Sequence, residues 1–136
     1  MNTLLFTLEY PPFRGGVANY YGNLVKHWPK PNNIFALNNN DGRLINKYWL
    51  CLRWLPAVRE LRKAIKKNQI EHVLVGQILP LGAVVLICSW FYQTKYSVFL
   101  HGLDFTNAVK SWRKKFISKI ILTRAEKIIC ANNYVA

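Results

Sequence analysis

The sequence has 136 residues, which is enough for one domain that buries a hydrophobic core. Hydrophobic residues make up 51% and charged residues 18%, a balance that excludes an intrinsically disordered chain. The 19 lysine and arginine residues outnumber the 6 aspartate and glutamate residues, and the formal net charge is +13. Such a surface attracts anionic lipids or nucleic acid without sequence specificity.

The cysteines and histidines are too widely spaced to indicate a metal or redox site. An odd number of cysteines (Cys51, Cys88 and Cys130) favours reduced, mostly buried thiols in a cytosolic protein. Residues 1–8 have no basic head and their apolar run is short, so they do not resemble a signal peptide. We therefore expect no metal and a cytoplasmic location.

Short apolar runs and segments with helical spacing alternate along the chain. The first half predicts strands at 3–8 and 33–37 and helices at 17–28 and 54–67, with a strand at 48–52 supported only by aromatic residues. The second half predicts strands at 72–76, 96–101 and 127–131, helices at 79–92 and 109–123, and a loop at 102–107. This alternation predicts an α/β fold, a Rossmann-like parallel sheet with helices on both faces.

Residues 73–92 contain no charged side chain, and a run of 20 such residues is long enough to span a membrane. However, Gly76, Pro80 and Gly82 interrupt its first half. Val73 and Val75 are β-branched, as is typical of a buried parallel strand. We therefore favour a strand, a turn and a buried helix over a transmembrane segment.

The segment between the first strand and the first helix has a distinctive composition. Pro11 and Pro12 stiffen the chain, and Gly15 and Gly16 then begin the helix without a Cβ to block a close approach. Because the first N–H groups of a helix have no partner within it, this turn could hold a phosphate or another anion. The spacing fits neither a dinucleotide fingerprint nor a P-loop, and an ordinary turn that needs a positive φ is the alternative.

A second candidate site follows the strand at 96–101, where His101 precedes a glycine. Ligands of open parallel sheets bind beyond the carboxyl ends of the strands. That rule places a set of potential binding residues on one edge of the sheet: Gly15, Gly16, Gln77, His101 and Asp104. The alternative for His101 is a capping or core histidine.

These motifs resemble those of the family 4 glycosyltransferases, which have the GT-B fold. Tyr10-Pro11-Pro12 followed by Gly15-Gly16-Val17 is similar to the opening of their N-terminal domain, and His101-Gly102 followed by Asp104 is similar to a histidine motif after a later strand. Segments 71–75 and 124–132 resemble two further strands, with glutamate in place of aspartate at Glu126 and Asn132 in place of serine. The resemblance covers nearly the whole chain.

The resemblance implies retaining transfer of a sugar from a nucleotide-diphosphate sugar, the co-substrate, to a glycan or lipid-linked acceptor. It implies a role in the synthesis of cell-surface polysaccharide or lipopolysaccharide, and no other cofactor. His101 and Asp104 would be the catalytic residues, with His101 contacting the sugar. The residues implied to bind the donor diphosphate or substrate are Arg14, Gly15, Gly16, Gln77, Gly102 and Asn132, although an exposed arginine beside a loop, such as Arg14, is more often a solvated surface residue.

In that family a second domain binds the nucleotide, and the resemblance includes only the first. We therefore expect residues 1–136 to form a single acceptor-side domain that is incomplete at its C-terminus, with the nucleotide-sugar domain absent. Such a chain alone would be inactive, because transfer needs donor and acceptor held together. A separate chain that supplies the second domain is then an expected partner.

Two predicted helices, 54–67 and 109–123, pair a basic side with an apolar side, and the second includes Trp112 and Phe116. Basic amphipathic helices with aromatic residues bind anionic membranes, so we expect a peripheral protein on the inner face of the membrane. The alternative is that the apolar sides pack on the sheet and the cations are only solvated; we expect both, with the apolar stripes in the core and the basic rims against the membrane. A third possibility is a non-catalytic nucleic-acid-binding module, although no specific reader motif is present. The cations expected to face the membrane are Arg59, Arg62, Lys63, Lys66, Lys67, Arg113, Lys114 and Lys115.

Overall fold

A computed structural model describes residues 1–48 and 52–131 of the chain, and its centre is one parallel sheet. The strands are β1 (Thr3–Phe6), β2 (Ile34–Leu37), β3 (His72–Val75), β4 (Lys95–Leu100) and β5 (Lys127–Cys130). Their order across the sheet is β2-β1-β3-β4-β5, and every neighbouring pair is parallel. The predicted α/β, Rossmann-like class is therefore confirmed.

Helices connect these strands. They are α1 (Gly16–Lys26), α2 (Leu55–Asn68), α3 (Ala83–Tyr92), α4 (Gly102–Val109) and α5 (Trp112–Arg124), with a 3-10 turn at Pro31–Asn33 and a π turn at Ile78–Gly82. Proline in the first turn of α2 suits a helix start, because its missing N–H would have no partner there. The same helix ends at Gln69, whose φ of 49° lies in the left-handed region.

The two faces of the sheet are covered unequally. Alternate strand residues such as Phe6 and Val75 point into a large cluster formed with buried residues of α2, α3 and α5. The residues between them point to the other face, where a smaller cluster of Leu5, Leu74 and Phe99 packs against Tyr21 of α1. Helices thus lie on both faces, as predicted, but α1 is the helix that covers the second face in the described residues.

The strand order places a topological switch point at one edge of the sheet, and the region beyond the strand ends there is called the crevice. The chain leaves β1 through α1 on one face and leaves β3 through α3 on the other face. Because the two connections diverge there, the region beyond the carboxyl ends of β1 and β3 is where open α/β sheets bind ligands. The ends of β1, β3 and β4 all meet at this edge.

Several predicted boundaries are wrong. The predicted loop at 102–107 is the helix α4, in which Asp104 lies in the first turn and the Thr106 hydroxyl donates to the Gly102 carbonyl. The helix predicted from 109 begins at Trp112, and the one predicted from 79 begins at Ala83 because Leu79 is extended. The strand predicted at 48–52 falls largely on residues outside the described part.

Two predictions of burial also need correction. Cys88 is buried but Cys130 is exposed, and Cys51 lies outside the described residues. The aromatic residues of α5 do not form core, since Trp112 is 76% and Phe116 61% exposed. Of that helix only Ser118 and Ile121 are buried.

Residues 73–92 form a strand, the π turn and α3, as the interrupting glycines and proline predict. Within residues 1–48 and 52–131, no helix combines the length and apolar character that crossing a membrane requires.

Packing around Gly76, at the end of β3, allows a first prediction. A Cβ at this position would lie 2.7 Å from the hydroxyl oxygen of Thr7 and 2.8 Å from its Cβ. We expect Gly76→Ala to lower the free energy of unfolding by about 1 to 3 kcal/mol, because the buried strand ends would have to separate. The measurement is urea denaturation, and Gly16→Ala, where a Cβ meets nothing within 4 Å, is the control. Equal midpoints for the two variants would contradict this packing.

Candidate functional site

The crevice is held together by hydrogen bonds between the ends of neighbouring strands. The backbone N–H of Gly76 donates to the Phe6 carbonyl over 2.8 Å. Next to it, the Gln77 side-chain oxygen accepts a hydrogen bond of 3.2 Å from the backbone of Leu8. Gln77 is thus at the predicted edge, where its side chain joins β1 to β3.

Tyr21 of α1 connects this edge to His101. Its hydroxyl oxygen lies 2.8 Å from the Gly76 carbonyl oxygen and 2.8 Å from Nε2 of His101. The tyrosine is completely buried, and its ring meets those of Phe99 and His101 edge to face at 5.5 and 5.6 Å. A helix from one side of the sheet therefore fixes a histidine at the end of β4.

His101 lies at the N-cap position of α4 and is half-buried. Burial lowers its pKa below the ordinary value for histidine, and the nearby Glu9 carboxylate opposes this shift. The ring is therefore neutral at pH 7, able to accept or donate a hydrogen bond but carrying no charge.

Asp104 lies one turn into α4, on the same side of the crevice. Its Oδ2 accepts a hydrogen bond of 2.8 Å from the backbone N–H of Ile78, which starts the π turn after β3. Burial raises the pKa of Asp104 to about 6; the Ile78 hydrogen bond opposes the rise and the Glu9 carboxylate adds to it. A half-buried carboxylate that is costly to ionise is typical of residues kept for function.

The Gly15–Gly16 turn forms the third side of the site. Gly15 caps α1 with a φ of 173°, which is extended backbone, so the turn does not require a positive φ. A Cβ at Gly16 would meet nothing within 4 Å. Packing therefore does not demand these glycines, and the N-terminus of α1 is open to a ligand.

Charge around this turn is mixed. A Cβ at Gly15 would lie 3.8 Å from the Oε2 atom of Glu9, so a carboxylate is already near the N-terminus of α1. Arg14, beside it, is exposed. An anion bound here would be attracted by the helix N–H groups and by Arg14 but repelled by Glu9.

The structure brings most of the predicted residues together. Gln77, His101, Gly102 and Asp104 follow β3 and β4, and the glycine turn leads from β1 into α1, whereas Asn132 lies outside the described residues. Two important residues, Glu9 and Tyr21, were not predicted. The sequence feature that could have identified Tyr21 is its position in the apolar stripe of α1. A tyrosine buried in such a stripe needs a hydrogen-bond partner for its hydroxyl group.

A second polar cluster lies at the opposite, amino-terminal edge of the sheet. Nε2 of His72 is 2.9 Å from the Ser97 hydroxyl, and Nδ1 is 3.1 Å from a carboxylate oxygen of Glu126. This order matches a serine–histidine–acid triad, but Ser97 is only 2% exposed. We regard the cluster as a structural link between β3, β4 and the residue before β5.

The described residues contain no group of three or more histidine, cysteine, aspartate or glutamate side chains arranged to hold a metal ion. In comparisons with known proteins, no protein-family model and no curated protein matches the chain.

The raised pKa of Asp104 leads to a second prediction. Because the carboxyl binds its proton more tightly in the folded state, ionisation at neutral pH destabilises the fold. We expect Asp104→Asn, whose side-chain oxygen can still accept from Ile78, to raise the free energy of unfolding at pH 7.5 by about 1 to 2 kcal/mol.

The gain should shrink as the pH falls below about 6 and vanish only well below pH 3.8, where folded and unfolded wild type are both protonated. Urea denaturation of both proteins across this range measures it. A gain that is constant with pH would mean that burial of the charge is not its cause.

Proposed function

We propose that this chain is the acceptor-side domain of a retaining glycosyltransferase. It would help move a sugar from a nucleotide-sugar donor to a glycan or lipid-linked acceptor in the synthesis of cell-surface polysaccharide or lipopolysaccharide. One observation carries the proposal. The α1 N-terminus, His101 and Asp104 lie at the same edge of the sheet, where the helices that follow β1 and β3 pass to opposite faces. The motif resemblance implies a role in sugar transfer for the same residues.

The chemistry of the crevice suits the two ends of such a donor. Negative charge grows on the leaving diphosphate as the glycosidic bond breaks, and preorganised N–H groups stabilise that charge. The open turn at Gly15 and Gly16 supplies such groups, with Arg14 beside it. Asp104 and the neutral His101 can accept hydrogen bonds from sugar hydroxyls.

Anion binding at the turn gives a third prediction. In a titration with pyrophosphate or UDP-glucose followed by NMR, the amide signals of Gly16 and Val17 should shift. Gly16→Ala should weaken binding about fivefold by blocking close approach, which corresponds to about 1 kcal/mol. Glu9→Gln should strengthen it, because a neutral amide no longer repels the anion.

The matched control is Asn23→Ala, an exposed position on the same helix, which should bind like wild type. Shifts that map elsewhere, or equal affinities for all four proteins, would contradict a diphosphate site at this turn.

We further propose that the outer surface of the α2–α3–α5 layer lies against an anionic membrane. α3 contacts both α2 and α5, so the three helices form one layer. The eight cations predicted to face a membrane lie on α2 and α5, and all are exposed. Between them α3 presents Trp90 and Phe91, which are 59% and 76% exposed.

The α5 side of this layer suits a membrane better than the α2 side. Trp90 and Phe116 line a groove of about 430 Å³ together with Lys119 and Arg124. On α2, in contrast, Arg62 donates to the Tyr92 hydroxyl over 2.7 Å and Lys63 pairs with Glu60. Arg124 lies over the Trp90 ring and Arg113 over the Trp112 ring, and exposed aromatic rings beside cations favour the lipid headgroup region.

A fourth prediction follows from this surface. The chain should sediment with phosphatidylglycerol vesicles and not with phosphatidylcholine vesicles. Lys114→Gln with Lys115→Gln should weaken binding about thirtyfold, at about 1 kcal/mol for each cation. The double variant Trp112→Ala with Phe116→Ala should also weaken vesicle binding. The control is Phe13→Ala with Tyr48→Ala, which removes aromatic residues exposed elsewhere and should leave vesicle binding unchanged.

Equal recruitment by both kinds of vesicle would contradict the membrane proposal. A nucleic-acid-binding module is the alternative. Binding to single-stranded and duplex DNA that falls steeply with salt, without binding to lipid, would favour it.

A further inference from the structure

We propose that Tyr21 is a positioning residue that holds His101 as the tautomer with hydrogen on Nε2, which leaves the Nδ1 lone pair to accept a ligand hydroxyl. The hydroxyl part of this inference rests on the proposed function. The tautomer itself is independent of that function, because it follows from the hydrogen bonds of Tyr21 to Gly76 and His101.

The number of hydrogens at the Tyr21 hydroxyl determines the tautomer of His101. The Tyr21 hydroxyl has one hydrogen, and burial raises its pKa, so the hydrogen is kept. Both neighbours lie 2.8 Å away, and of these the Gly76 carbonyl can only accept. The hydroxyl therefore donates to Gly76 and must accept from Nε2–H of His101. If the Tyr21 hydroxyl donated to Nε2 of His101 instead, the carbonyl oxygen of the buried Gly76 would lose the hydrogen bond from Tyr21.

The other ring nitrogen of His101 then determines what the crevice binds. Burial lowers the pKa of the histidine, so Nδ1 of the neutral ring carries a lone pair. In residues 1–48 and 52–131, the buried side-chain atoms without a hydrogen-bond partner are Thr3 Oγ1 and Ser118 Oγ. Nδ1 of His101 also has no hydrogen-bond partner in the described residues, but it is not one of these buried atoms. It is therefore accessible to solvent.

The lone pair on Nδ1 of His101 determines which class of ligand can bind next to it. A hydroxyl group can donate to Nδ1, whereas an ionised phosphate has no hydrogen to offer and would face a repulsive lone pair. Asp104, close by in α4, is likewise an acceptor when ionised. The His101 end of the crevice thus fits a polyol such as a sugar, and the anion belongs at the Gly16 end.

The remaining histidines provide internal references. Nδ1 of His72 lies 3.1 Å from a Glu126 carboxylate oxygen, and Nδ1 of His27 lies 3.0 Å from the Asn23 carbonyl oxygen. Both acceptors require hydrogen on Nδ1 of the neutral ring. His72 and His27 should therefore be the opposite tautomer to His101, and one spectrum compares all of them.

The experiment is a two-bond proton–nitrogen correlation spectrum of the ¹⁵N-labelled chain at pH 8, assigned with single histidine-to-glutamine variants. Protonated and unprotonated ring nitrogens are well separated in such spectra. We expect the unprotonated nitrogen to be Nδ1 in His101 and Nε2 in His72 and His27. Hydrogen on Nδ1 of His101 in wild type would overturn the proposal.

Tyr21→Phe removes the hydroxyl that accepts from Nε2–H of His101. Without it both tautomers should be populated, so the ring nitrogen signals of His101 should move towards the average of the two forms. The control is Tyr20→Phe, whose ring lies 6.1 Å from the His101 ring and whose hydroxyl makes no hydrogen bond to the described residues. If Tyr21→Phe fails to fold, the wild-type spectrum still decides the tautomer. A folded Tyr21→Phe with unchanged His101 signals would overturn the role of Tyr21.

Titration with methyl glucoside and with pyrophosphate separates this proposal from the proposed function. The glycoside should shift Nδ1 of His101, and pyrophosphate should shift the Gly16 amide instead. If neither ligand moves any signal while the Nε2–H tautomer is present, sugar transfer is contradicted and the assignment of Tyr21 stands.

Discussion

Tyr21 places a hydroxyl group in the interior of the protein, and a buried hydroxyl must be hydrogen-bonded or destabilise the fold. Its two partners belong to different strand ends, Gly76 after β3 and His101 after β4, while the tyrosine itself belongs to the helix after β1. Satisfying this one group therefore sets the distance between α1 and both strands. It also sets the width of the crevice and the orientation of the histidine at its end.

The two ends of the sheet treat their ionisable groups differently. At the amino-terminal edge, His72 has a hydroxyl partner and a carboxylate partner, and the cluster is closed. At the carboxyl edge, Asp104 and His101 are both shifted by burial towards their neutral forms. Each keeps part of its hydrogen-bonding capacity towards the crevice. Burial also lowers the pKa of His72, so what distinguishes the carboxyl edge is the hydrogen-bonding capacity that it leaves open, which is what the proposed site requires.

Much of the fold could be predicted from the sequence because its patterns are local. Apolar runs mark the buried strands, and helical spacing marks α1 and α2. The rule for parallel sheets then brings Gln77, His101 and Asp104 to one edge without any structure. Other features could not be predicted. Gly102 looks like a turn residue but begins α4, since no local pattern separates these two cases. The contact between Tyr21 and His101 joins distant parts of the chain, and only packing determines it.

The exposure of Trp112 and Phe116 was missed for a similar reason. Their spacing is that of a buried helical face, and the sequence does not show how much of α5 its neighbours cover.

The unequal covering of the sheet has a consequence for motion. α1 rests on a small cluster of buried residues, whereas three helices share the large cluster on the other face. Segments with fewer buried contacts open at lower free-energy cost than the rest of a domain. Detachment of α1 would withdraw Tyr21 from His101 and the Gly16 amide from the crevice in a single step. The site would therefore be lost as a unit, in an excursion that leaves most of the sheet and its larger core intact.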